Sequence, residues 1–260
     1  AFVGSDAARE HLARTGFVVT DHAFKQVFEA YISAPVPKFV TTDSAWHTYH
    51  VLLEEGVRKL EQGQASALSR FSAKLTEAAL AKAGGNEGPY RDLARFAAVG
   101  LAFQDPEALR ALDAGLADET RNLVGVLTEG AGPRKVLFFG LPFMPERLRA
   151  GSFYAGAPDL AAYFAARQWY ALCDFRAKSE EETERALRLA LLVEGDAELG
   201  DLYSKLTEPY DRLLGAPEDG DVATYAAMGR EVYGEDLTEA DLAAGMEEFR
   251  RRVAQLPPPS

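Results

Sequence analysis

A single cysteine, Cys173, is all the thiol the chain carries. That excludes an internal disulfide and a structural zinc site built from several thiolates. Histidine is nearly as scarce, with four in 260 residues. Positive charge is in deficit: 28 Lys+Arg stand against 40 Asp+Glu, a formal net charge of -12. A field of that sign repels phosphate backbones and anionic lipid surfaces, so nucleic acid is not an expected partner. The longest basic run, Arg250-Arg251-Arg252, follows Glu247 and Glu248 and suits dipole compensation near a helix C-terminus. No stretch approaches the roughly 20 apolar residues that span a bilayer, so no transmembrane segment is expected. The opening Ala1-Phe2-Val3-Gly4 has neither the basic flank nor the apolar core of a signal peptide. Gly-x-Ser-x-Gly, His-Glu-x-x-His, Gly-x-x-x-x-Gly-Lys and Gly-x-Gly-x-x-Gly are all missing. Their absence argues against a kinase, an ATPase or a dinucleotide-dependent dehydrogenase.

What is present is helix. Hydrophobic residues make up 47% of the chain, enough for a sizeable core. Alanine, leucine, glutamate and arginine dominate, and apolar residues recur every three or four positions. The pattern predicts helices over about 6–15, 20–33, 42–62, 66–83, 89–103, 105–128, 158–177, 179–194, 198–214, 220–233 and 238–255. Ser179-Glu180-Glu181-Glu182 and Thr238-Glu239-Ala240-Asp241 have the form of capping boxes, and Asp105-Pro106 that of an N-cap followed by proline. Gly84-Gly85-Asn86 and Gly215 read as helix ends. Two short stretches look extended, Phe17-Val18-Val19 and Lys38-Phe39-Val40.

Residues 129–157 differ, with Gly130, Gly132, Pro133, Gly140, Pro142, Pro145, Gly151 and Gly156 around the apolar Val136-Leu137-Phe138-Phe139, a strand or a buried loop. A connection this hydrophobic is a packed crossover rather than a linker. The expected fold is therefore all-α, a multi-helix layered or curved array crossed by this Gly/Pro-rich apolar segment. A helical half at 1–128, the crossover at 129–157 and a second half at 158–260 are expected to make one structural domain. Pro257-Pro258-Pro259-Ser260 reads as a stiff extended exit.

The stretch with most chemistry is Thr41 to His50, TTDSAWHTYH, which holds two of the four histidines. At about 100° per residue, Asp43, His47, His50 and Glu54 fall within a helical sector of roughly 60°. Trp46, Tyr49, Leu53, Val57 and Leu60 form an adjoining apolar stripe, expected to be buried. Carboxylates and imidazoles at this spacing can converge on one ion, as a glutamate and histidine do in di-iron bundles. Any further ligands would be carboxylates, since no second cluster of His or Cys exists. The same residues also suit an ordinary polar face: an acid near a helix N-terminus, then His47 and His50 satisfied one turn away by Asp43 and Glu54.

Other features are weaker. Asp196, Asp201, Glu218, Asp219 and Asp221 read as turn and N-cap residues, not as a calcium loop. The aromatic block Tyr154, Tyr163, Phe164, Trp169, Tyr170 and Phe175 reads as core more than as a pocket. Cys173 reads as a small buried hydrophobe.

Several segments together resemble a known family. Thr15-Gly16-Phe17-Val18-Val19, Phe28-Glu29-Ala30-Tyr31 and Pro37 through His50, with its Thr-Thr-Asp and His-x-x-His, resemble the prokaryotic domain-of-unknown-function family 3160. Tyr154, Leu160, Tyr163-Phe164, Trp169, Asp174-Phe175 and Val232-Tyr233-Gly234 continue the likeness. The chain is similar to the N-terminal half of longer members, and Phe153 stands where the family carries a histidine. The resemblance carries no established activity. It implies an extracytoplasmic location, periplasmic or cell-surface, and a protein partner or the second half of a full-length chain.

Two functions are expected from this. The first is an exported helical binding or assembly protein, a subunit or half of a larger unit. The alternative is a metal-dependent hydrolase. There Asp43, His47 and His50 would hold one divalent metal ion, Glu54 would orient a histidine, and Tyr154 would donate to substrate.

Overall fold

The computed structural model describes residues 5–19, 25–26, 29, 32, 41–136, 140, 142–215, 217, 219–234 and 239–256. The expected helix at 20–33 falls largely outside these residues. Lys38-Phe39-Val40, Leu137-Phe138-Phe139, Thr238 and the Pro257–Ser260 exit fall outside them altogether. The chain forms two compact units, Ala1–Arg58 and Lys59–Ser260.

In the first unit, α1 spans Asp6–Thr15. Ser5 caps its start by accepting from the Ala8 amide, and Gly16, at φ 78°, closes its end in the left-handed conformation that favours glycine. Phe17-Val18-Val19 is irregular chain rather than strand, with Phe17 and Val19 exposed. Helix α2 spans Thr42–Ala83, its residues from Lys59 onward belonging to the second unit, and begins on a reciprocal cap. The Ser44 amide donates to Thr41 Oγ1 at 3.1 Å, and the Thr41 amide donates to Ser44 Oγ at 3.0 Å. Serine here takes the part that glutamate plays in the usual capping box. Two helices were expected over 42–83 and one is found. A lone glycine such as Gly63 costs a helix only about 1 kcal/mol, too little to end one whose next turn is anchored.

Among its described residues the second unit is built of helices joined by irregular segments, with one isolated antiparallel bridge between Arg134 and Phe143. Leu68, Phe71, Leu75 and Ala79 bring one face of α2 into the core. Helix α3 (Pro89–Gln104) is buried nearly all round and packs on α4 (Ala114–Glu129), α5 (Pro158–Leu172) and α6 (Glu180–Gly195). At Gly100 the Tyr170 ring presses so closely that a β-carbon would collide with it. The helix expected over 105–128 divides into a 3-10 turn at Pro106–Ala111 and α4, because Asp113 starts a fresh cap on the Leu116 amide. The crossover packs as expected: Val136, Phe143 and Leu148 join Phe96 and fully buried Trp169, whose indole N–H donates to the Phe96 carbonyl at 2.9 Å. A third cluster joins α6 to α8 (Val222–Tyr233) and α9 (Glu239–Val253) through Leu187, Tyr225, Leu242 and Phe249.

Ser179 caps α6 by accepting from the Glu182 amide. Glu182 does not complete the box. Its carboxylate instead accepts from the Arg176 amide at 2.9 Å, the Arg176 guanidinium and the Gly140 amide at 3.0 Å. Burial alone would raise the Glu182 pKa, but these donors outweigh it and hold it below the ordinary carboxylate value. Glu182 thus fastens the crossover to α6.

Helix α7 (Ala197–Leu214) carries Pro209 in its interior. A proline there has no N–H for the carbonyl four residues back, which is that of Lys205. Gln64 of α2 supplies the missing donor: its Nε2 donates to Lys205 O at 3.1 Å and lies 3.4 Å from Leu206 O.

Two predictions follow from these ties. Gln64→Leu should cost about 1–3 kcal/mol, the penalty for stranding buried polar groups. In a Pro209→Ala background the restored N–H serves Lys205 O, so the loss should shrink by roughly 1 kcal/mol; urea midpoints of the four proteins check both. The Glu182 contribution is fully present above the unfolded carboxylate value of about 4.3 and is lost as pH falls through the lower folded value. Denaturation midpoints measured against pH should therefore fall less steeply on the acid side for Glu182→Gln than for wild type.

Candidate functional site

The capped start of α2 fixes the register that places Asp43, His47, His50 and Glu54 along one face. His50 Nε2 lies 3.5 Å from Glu54 Oε2, and Glu54 Oε1 lies 3.6 Å from Arg58. Asp43, His47 and His50 are exposed. Among the described residues, no group of three or more His, Cys, Asp and Glu side chains is gathered tightly enough to hold a metal ion. The apolar stripe expected to be buried is open over its first half: Trp46 is 71% exposed, Tyr49 57% and Leu53 48%, with Leu52 at 67% beside them, while Val57 and Leu60 are half-buried.

Tyr154 belongs to the second unit. It closes a 3-10 turn, Ser152–Tyr154, in which Ser152 takes a left-handed φ of 51°, an unusual conformation for a residue other than glycine. Its ring stacks on Phe153 at 4.2 Å between centroids and lies 4.7 Å from Phe164. Burial first, and then its interaction with the Glu61 carboxylate, push the Tyr154 pKa well above the ordinary phenol value.

Glu61 leads to a cluster that the sequence reading missed. It is 4% exposed, and its Oε1 accepts from the Tyr210 hydroxyl of α7 at 3.0 Å. The Tyr210 hydroxyl lies 3.4 Å from that of Tyr163 in α5, and Tyr163 donates to Gln64 Oε1 at 2.9 Å. The Arg167 guanidinium, one turn along α5, sits over the Tyr210 ring, 3.8 Å from its centroid. Glu61 Oε2 is buried with no partner that meets hydrogen-bond geometry. Burial is the first cause of a raised pKa at both Tyr163 and Tyr210, so all three phenols stay protonated near neutrality and act as donors.

A signal for this cluster was in the sequence. Glu61 and Gln64 occupy the same three- and four-residue series as Leu68, Phe71, Leu75 and Ala79, so two polar residues sit in apolar positions. The aromatic block did prove to be core around Tyr163 and Trp169, both fully buried. Cys173 is buried, and burial pushes its thiol pKa far up, which removes it as a nucleophile. Asp196 and Asp221 cap α7 and α8, as expected of turn acids.

Replacing both imidazoles, His47→Ala with His50→Ala, removes exposed side chains, among them the His50 partner of Glu54, and should change unfolding free energy by less than about 1 kcal/mol. Elemental analysis of untagged wild type beside that variant should show no stoichiometric metal that only the variant loses; such a metal would make this face a site.

No curated protein and no solved structure matches the chain. Residues 5–260, from the cap of α1 to beyond α9, match one family described as a protein of unknown function. The chain belongs to that family, DUF3160.

Proposed function

We propose that this is a helical binding and assembly protein, one part of a larger extracytoplasmic unit, whose partner is a different protein offering an apolar helix face with a basic rim. The observation that carries this is the run of large apolar side chains left in solvent on the first half of α2. Trp46, Tyr49 and Leu53 share one face, with Leu52 beside them. Exposed apolar surface on this scale marks an interaction surface, and tryptophan and tyrosine are the residues that anchor interfaces. Asp43 and Glu54 border the stripe on one side, which favours a basic rim opposite. A second copy of this chain, also at net charge -12, would meet it with repulsion. The alternative hydrolase reading at Asp43, His47 and His50 has no observation in its favour.

Trp46 supplies its own readout, because the second tryptophan, Trp169, is fully buried. Titration with a synthetic amphipathic Leu/Lys helix peptide should shift Trp46 emission to the blue. Leu53→Asp should weaken that binding at least tenfold, and a Leu/Glu peptide of the same pattern should not bind. Equal binding of both peptides, or self-association through this face in sedimentation, would contradict the proposal. Fractionation of cells carrying the native gene checks the extracytoplasmic location.

A further inference from the structure

We infer that the Glu61–Arg167 cluster is a binding site for a small zwitterion, an α-amino acid with an aromatic or apolar side chain. Two opposite charges meet at Tyr210 without meeting each other. Glu61 takes the Tyr210 hydroxyl at 3.0 Å, and Arg167 lies over the same ring at 3.8 Å. Among the described residues, neither has an ion-pair partner within 4.0 Å. A carboxylate held almost wholly out of water is strongly destabilising unless an opposite charge or enough donors reach it. Here Oε1 takes the Tyr210 hydroxyl, the Tyr154 phenol lies beside the carboxylate, and Oε2 has no partner that meets hydrogen-bond geometry.

The missing chemistry is therefore a donor, best a charged one, at Oε2. An α-ammonium group provides it. Arg167 is the complementary group: half-buried over the Tyr210 ring and beside the Tyr163 hydroxyl, its guanidinium has no carboxylate partner among the described residues and could take one bidentately. The two groups approach the same tyrosine, and a molecule bearing ammonium and carboxylate on one carbon could address both together. The half-buried Tyr154 lies beside the Glu61 carboxylate and stacks on Phe153 at 4.2 Å, and the pair of rings offers an apolar wall to the ligand's side chain. This site lies wholly within the second unit and is independent of the α2 apolar face.

Isothermal titration calorimetry with L-phenylalanine tests the inference, beside phenethylamine, which lacks the carboxylate, and 3-phenylpropionate, which lacks the ammonium. Phenylalanine should bind, and each analogue should bind at least tenfold more weakly. Glu61→Gln should lower phenylalanine affinity at least tenfold while leaving 3-phenylpropionate unchanged. Arg167→Met should do the reverse, sparing phenethylamine. Circular dichroism establishes that each variant is folded; should Glu61→Gln not fold, Arg167→Met, at a half-buried position, carries the charge-matched test alone. No heat with phenylalanine up to 10 mM, equal binding of a singly charged analogue, or losses that do not follow the matching charge would overturn the inference.

Discussion

The second unit depends on two polar side chains placed where apolar ones belong. Glu61 and Gln64 continue the stripe by which α2 enters the core, and both are held there by partners from α5 and α7. Gln64 is the more fully satisfied. It gives its amide to the carbonyl that Pro209 leaves unserved and takes the Tyr163 hydroxyl in return. Proline inside a helix and glutamine inside a core are each unfavourable alone. Together they fix the register of α2 against α7, because sliding either helix by one turn would strand both groups. A purely apolar contact would tolerate such a slide with less loss.

Glu61 is the incomplete member of the same seam. Its neighbours are phenols whose burial keeps them protonated, so it sits among donors that cannot supply a charge. The cation of the cluster, Arg167, lies over the Tyr210 ring and makes no ion pair with Glu61. A cluster built only for stability would be expected to satisfy its own carboxylate. That contrast separates Glu61 from Glu182, a buried acid with several donors and a structural task that explains it completely.

Much of the fold was legible because it rests on local rules. The caps at Asp105 and Ser179, the glycine stop at Gly215 and the three-four recurrence of leucine and alanine all describe nearest-neighbour physics, and the structure follows them. Where the reading departed, a distant contact decided. Helices expected to end at 62 and restart at 66 run on as one, with Gln64 anchored between them. Ser179-Glu182 looked like a closed box until Arg176 and Gly140 drew the carboxylate away. The Trp46–Leu53 stripe has core periodicity and yet lies exposed, since periodicity reports a face to be covered and not what covers it. At the candidate site, Tyr154 was legible as a polar aromatic, but its partner Glu61 was not singled out. Only the packing of α5 and α7 on α2, across a hundred residues or more of sequence, turns Glu61 into a buried acid.

Hydrogen–deuterium exchange of the full chain with and without L-phenylalanine puts the central claim, an incomplete buried seam awaiting a charged donor, to the most direct test. A ligand that completes the seam should slow exchange together in three separate stretches, 59–68 of α2, 158–172 of α5 and 203–212 of α7, because the same group then ties all three. Unchanged exchange in these stretches, or protection confined to any other part of the chain, would contradict it.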